Sequence, residues 1–311
     1  MKPVPAIVNG PARPSPAPIR LVQIPVDVLL QVFGCLGLAD RYRLGRTCRT
    51  LYAVYCEPEN WAAVDWRPYG ARITDVHLEW LARLAGPCLR TLCLKESNQV
   101  SDSHGLGLIL RTAPQLRRLV VDAGASGSLV GQRDLFAVVQ APRPALTECR
   151  FDNCTAFDDA SLVACVARFP NLTRVSLRYC VHLQDVRPLR HLPNLAHLNL
   201  TGVAFRVDQL TQVLSNCQDL RSLTLDYCYQ VDDDVLMAVA RHNRRLRSLS
   251  INFCCDVTSR GVSLLVGCPS LTWLGLRNCR AVSSAVIELV ASCTTLRQVL
   301  TPLGKWRFWI H

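Results

Sequence analysis

Leu220-Arg221-Ser222-Leu223-Thr224-Leu225-Asp226-Tyr227-Cys228 is one copy of a phrase that recurs along the 311-residue chain. Its opening leucine returns at Leu89, Leu116, Leu146, Leu172, Leu195, Leu246, Leu271 and Leu296, at gaps of 23 to 30 residues. The phrase carries apolar residues at offsets zero, three and five. In five copies a cysteine stands at offset eight: Cys154, Cys180, Cys228, Cys254 and Cys279. Alternating polarity over so short a run is what a strand with one buried face requires.

A fixed period of this length with this phrase is the signature of leucine-rich repeats, so the expected fold is an α/β solenoid. The repeated strand builds a parallel sheet on the concave side, and helices make the convex side. Twelve residues after the leucine comes a helix-capping type, at Ser101, Asp158, Asp232, Thr258 and Ser283. Such residues accept hydrogen bonds from the first free amides of a helix. An incomplete repeat precedes the first leucine, with a strand at Ala63-Val64-Asp65-Trp66 and a helix around Leu78, Leu81 and Leu84. About nine full repeats follow, to residue 303. Two copies depart from the pattern. Gly124-Ala125-Ser126-Gly127-Ser128, with Pro142 and Pro144, predicts a protruding loop. The 23-residue repeat from Leu172 carries Pro188 and Pro193 and leaves room only for a 3-10 turn.

Half of the residues are hydrophobic, yet no apolar run reaches the length of a membrane span. Residues 1–19 are proline-rich, without the apolar stretch of a signal peptide, and read as an extended lead. The expected compartment is therefore the cytoplasm or nucleus. There the 16 cysteines remain reduced. No C-x-x-C pair suggests a metal, and a small apolar weak donor suits a buried turn. No cofactor or catalytic residue is expected. The net charge of +11 comes from 32 arginines and only Lys2, Lys95 and Lys305. It implies an acidic partner or nucleic acid. The run Arg241-His242-Asn243-Arg244-Arg245-Leu246-Arg247 has no nucleic-acid motif beside it and also suits a helix C-terminus.

Residues 20–62 stand outside the repeat. Pro25 suits a first helical turn, and Val26, Leu29, Leu30 and Phe33 form one apolar stripe. Gly34 and Gly37 are expected to end this helix, Asp40 to cap a second, and Leu44, Cys48, Leu51, Tyr52 and Tyr55 to line up along it. Pro58 and Trp61 suggest a third, short helix. So small a module has a weak core alone, and its apolar side chains need the solenoid or a partner protein.

This segment resembles an F-box. The family pattern is met by Ile24-Pro25, Asp27, Leu29-Leu30, Val32-Phe33, Leu36, Asp40, Cys48, Tyr52 and Trp61. Ile24 replaces a leucine, Thr47 a valine and Tyr52 a tryptophan. An F-box ahead of cysteine-bearing repeats is similar to the F-box/leucine-rich-repeat family. The resemblance implies a non-catalytic substrate receptor of a Skp–cullin–F-box ubiquitin ligase. The F-box would bind a Skp-type adaptor, and through it a cullin scaffold, while the repeats capture a protein substrate. Carried over by pattern, the adaptor-facing residues are Ile24, Pro25, Leu29, Leu30, Phe33 and Leu36, with Leu44 and Cys48. The alternative is a scaffold or inhibitor whose F-box-like helices only cap the solenoid.

With offsets zero, three and five buried, offsets two, four and six face the concave side. They present Arg150, Arg174, Arg178, Trp273 and Arg277, residue types enriched in interface anchors. An acidic or phosphorylated segment suits such arginines. The terminal stretch 304–311, with Trp306, Phe308 and Trp309, either caps the last repeat or folds back toward Trp273.

Overall fold

The computed structural model describes residues 24–97, 100, 105–124 and 145–308. They fall into two compact units that divide between Asn60 and Trp61. The loop expected over 125–144, the cap expected at Ser101 and the lead at 1–19 lie outside the described residues.

The first unit is helical: α1 (Val26–Cys35), α2 (Leu38–Gly45), α3 (Arg49–Tyr55), then a 3-10 turn at Pro58–Trp61. Its core is Leu29, Phe33, Leu51 and Val54, with Ile24, Leu30, Leu44, Cys48 and Tyr55 packed against it. Three boundaries differ from the sequence reading. Gly34 lies within α1, whose end is held from outside: Arg41 donates to the carbonyls of Leu36 (2.9 Å), Gly34 (3.1 Å) and Asn60. A cation on exposed C-terminal carbonyls is favourable, so no glycine stop is needed. Gly37, not Asp40, is the N-cap of α2. The run from Leu44 to Tyr55 is broken after Gly45, and Cys48 becomes the N-cap of α3.

The second unit is one sheet of eleven strands in sequence order. They are β1 (Ala63–Asp65), β2 (Thr91–Lys95), β3 (Arg118–Asp122), β4 (Glu148–Asp152), β5 (Arg174–Ser176), β6 (His197–Asn199), β7 (Ser222–Thr224), β8 (Ser248–Ser250), β9 (Trp273–Gly275), β10 (Gln298–Leu300) and β11 (Trp306–Phe308). The pairings from β1 to β10 are parallel, and β11 returns antiparallel to β10. Between strands lie α4 (Asp75–Ala85), α5 (Gly107–Thr112), α6 (Asp159–Arg168), α7 (Val207–Asn216), α8 (Asp233–His242), α9 (Ser259–Ser263) and α10 (Ser284–Cys293). Asp158, Asp232 and Thr258 cap their helices as expected, whereas Ser283 occupies the N-cap of α10 without a side-chain bond. The short repeat after Leu172 carries a 3-10 turn at Arg187–His191.

Seven strand exits repeat one turn. At offset seven the backbone is left-handed: Glu96, Asn153, Tyr179, Gly202, Tyr227, Phe253 and Asn278 have φ between 52° and 67°. One residue later the cysteine thiol turns inward. The sulfurs of Cys180, Cys228, Cys254 and Cys279 donate to the offset-five carbonyl of the preceding repeat at 2.9–3.2 Å. At Leu200, Leu225 and Ile251 that carbonyl also accepts an amide from its own repeat, so the thiol occupies its second lone pair. Each thiol thus joins two repeats.

Candidate functional site

Two surfaces carry the residues singled out from the sequence. On the helical unit, Leu29 and Phe33 have no exposed surface; they are core residues and offer nothing to a partner. Ile24, Leu30, Leu36, Leu44 and Cys48 are half-buried, and Pro25 is exposed. What faces solvent instead is Pro25, Val28, Val32 and Cys35, one stripe at helical spacing, with Val28 and Val32 about two-fifths exposed. The helix is apolar on two sides, and only one side serves its own core. Val28 carried no signal of its own in the sequence. Its spacing from Pro25 and Val32 was the available clue.

On the strand face, the parallel register places Arg118, Glu148, Arg174 and His197 side by side. Glu148 is bracketed by Arg118 at 3.2 Å and Arg174 at 3.7 Å, and Arg150 pairs with Asp152 at 3.3 Å. Arg150 and Arg174 share a cavity of about 360 Å³ with His197, Ser222 and Thr224. Burial, and then Arg174 and Arg221, hold the His197 imidazole below its usual value. The arginines here are largely neutralised by their own neighbours.

The other expected docking residues lie elsewhere. Arg178 sits over the Tyr179 ring, 5.2 Å from its centroid, and Arg277 sits over Phe253 at 5.6 Å. Trp273 is half-buried against Trp306, 6.4 Å between centroids. Thus β11 both extends the sheet and brings Trp306 to Trp273. The five residues do not form one site: Arg150 and Arg174 share a cavity, Arg277 lines a second, and Arg178 lines neither.

Among the described residues no group of three or more His, Cys, Asp or Glu side chains could hold a metal. The buried thiols of the repeats are poor nucleophiles. Burial pushes Cys217, Cys268 and Cys279 up to about 11 and Cys228 up to about 12. An attacking thiol needs the opposite shift.

Residues 21–65 match the family model described as F-box-like. Residues 143–233 match that of the LRR repeats of FBD-associated F-box protein At5g56370. The chain is 26% identical over 269 residues to F-box/LRR-repeat protein 4 of Bos taurus, which covers 85% of this chain and 39% of that protein. It is 25% identical over 290 residues to F-box/LRR-repeat protein 12 of Homo sapiens, covering 89% of this chain and 85% of that one. Among solved structures, a chain of "Crystal structure of Rad7 and Elc1 complex in yeast" aligns with a TM-score of 0.47 and 17% identity, covering 88% of this chain and 87% of that one. The chain thus joins an F-box-like helical unit to leucine-rich repeats of the F-box-associated kind, the combination named in the F-box/LRR-repeat proteins it is similar to.

Proposed function

We propose that the protein is the substrate-recognition subunit of a Skp–cullin–F-box ubiquitin ligase. The helical unit binds a Skp-type adaptor, the adaptor links it to a cullin, and the repeats hold a protein substrate. The observation that carries this reading is the exposed stripe of Pro25, Val28 and Val32 on a helix whose other side is already filled by Leu29 and Phe33. Covering valine-sized side chains contributes roughly 1.5–3 kcal/mol each when burial is complete. No bond is made or broken by this chain. It acts by raising the local concentration of substrate near the conjugating enzyme.

Affinity purification of the full chain, of a chain lacking residues 20–62, and of Val28→Asp with Val32→Asp tests the assignment. Adaptor and cullin should be recovered only with the unmodified chain. Their recovery with the double variant, still folded by circular dichroism, would remove the helical unit from adaptor binding. A chain that captures a partner through its repeats but never an adaptor is the scaffold of the alternative reading.

A further inference from the structure

We infer that the partner of the repeats docks along the strand-exit rim, through an acidic peptide segment, rather than on the strand face. The rim runs from Arg178 past Tyr227 and Phe253 into a cavity lined by Arg277, Arg280 and Lys305. The inference rests on the reading of the repeats as the partner-binding half of the protein.

Which cations are already paired decides the location. On the strand face Arg118 and Arg174 share Glu148, and Arg150 has Asp152. On the rim, Arg178, Arg277, Arg280 and Lys305 have no carboxylate partner among the described residues. Arg178 and Arg277 lie over aromatic rings, and Arg280 meets Asn278 at 3.3 Å. Asp226, the acid beside this row, has its Oδ1 occupied by Ser250 Oγ (2.6 Å) and the Asn252 amide (2.8 Å). A ligand that brings its own carboxylates therefore displaces fewer existing pairs on the rim than on the face.

The aromatic rings give the second observation. Tyr179, Tyr227 and Phe253 occupy left-handed backbone positions. A residue with a Cβ there costs roughly 1–2 kcal/mol, and glycine or asparagine would avoid much of it. The three rings nonetheless form a row: Tyr227 and Phe253 stack at 4.4 Å and 10°, and Tyr179 leans to within 6.4 Å of Tyr227. Gly202, in the repeat between them, makes this possible. A Cβ there would lie 2.3 Å from the Tyr179 ring. Strained positions held by aromatics, with Tyr227 exposed and Tyr179 and Phe253 half-buried, fit a surface kept for contact.

Phe253 and Arg277 continue the row into a cavity of about 900 Å³ that Val282, Ile287 and Leu303 also line. Ser284, the first residue of α10, lines it as well, and this helix has neither a side-chain cap nor an acid in its first turn. Its free amides add to the positive potential. Arg307 is held by Glu288 and adds less. Three free cations around a partly apolar cavity fit a short peptide with acidic and apolar side chains. They are few for nucleic acid, where tight binding neutralises about 6–10 phosphates.

Fluorescence anisotropy with the full chain tests the site. The probes are a labelled peptide of alternating glutamate and leucine, its glutamine counterpart, and oligothymidylate of similar length. The glutamate peptide should bind, the other two should not. Arg277→Glu with Lys305→Glu should weaken it at least about tenfold, or about 1.4 kcal/mol. Arg150→Glu with Arg174→Glu should leave it within about twofold, or roughly 0.4 kcal/mol. Absence of binding, equal binding of the glutamine peptide, preference for oligothymidylate, or a larger loss from the face variant would each overturn the inference. Should the rim reversal lower the melting temperature, Arg277→Gln with Lys305→Gln carries the same test. Adaptor capture by these variants reads the helical unit separately, so a failed adaptor assignment is not confused with a failed rim.

Discussion

Raising the pH should unfold the repeats through their thiols. Exposed thiols titrate near 9, whereas burial holds Cys217, Cys268 and Cys279 at about 11 and Cys228 at about 12. All four are fully buried. Between these values the folded chain keeps protons that the unfolded chain has released. Stability is therefore complete below about 9 and falls as pH rises, by about 1.4 kcal/mol per pH unit for each thiol. From pH 8 to pH 10 each loses about 1.3 kcal/mol, and the four together about 5 kcal/mol. Burial moves Cys149, Cys180 and Cys254 in the same direction. A loss of that size is comparable with the whole stability of a typical domain, about 5–15 kcal/mol. Urea unfolding under reducing conditions, followed by far-ultraviolet circular dichroism at pH 7, 8, 9 and 10, measures it. Cys228→Ala should start about 1–2 kcal/mol less stable and lose about a quarter of the slope of the four. A stability that changes by less than about 1 kcal/mol from pH 8 to 10 would refute the account, because four protected thiols cannot give so flat a curve.

Other substitutions separate the roles assigned above. Phe33→Ala should cost the helical unit about 3–5 kcal/mol and unfold it, read by proteolysis of residues 24–60, while the melting of the repeats stays put. Gly202→Ala meets both a φ of +67° and the Tyr179 ring, so it should destabilise by more than about 1 kcal/mol and change tyrosine fluorescence; a neutral result would remove the close approach. Glu148→Gln should cost less than about 1 kcal/mol, since its partners are half-exposed. It should also lower the His197 pKa further, because Glu148 is the group that raises it. A rise in the imidazole proton titration would contradict that electrostatic picture.

The strands and the helix starts were legible because their signals are local and periodic. The leucine at offset zero, the apolar residues at three and five, and Asp158, Asp232 and Thr258 each report on the few residues around them. The helical unit was read correctly in outline but not at its joints. The end of α1 is held by Arg41, several residues away, and a stop signal was sought at Gly34 where none was needed. Periodicity placed Val26, Leu29, Leu30 and Phe33 on one stripe; in the structure Leu29 and Phe33 are buried, Val26 is exposed, and Val28 and Val32 form another stripe. It did not say which stripe met α3, because that depends on packing between segments. The charge pattern had the same defect. Glu148 meets Arg118 and Arg174 only through the register of three neighbouring strands, so the arginines looked available when taken one at a time. The rim was hidden for another reason. Asn153, Gly202 and Asn278 are residue types that suggest a left-handed turn, but Tyr179, Tyr227 and Phe253 are not, and the conformation is imposed on them by the turn they share.

The row of inward thiols also sets how the protein ages. A seam between repeats that opens by fluctuation bares a sulfur, and an oxidant that reaches it adds an oxygen to an atom seated at 2.9–3.2 Å from a carbonyl. The enlarged, polar group no longer fits, so that seam cannot close again. Opening, harmless when reversible, becomes a one-way step, at the opening frequency itself when oxidation outpaces reclosing. Exposed Cys35 and Cys255 react without any opening and act as an internal clock for the dose received. Under oxidants the array should therefore be lost seam by seam, from whichever pair of repeats breathes most.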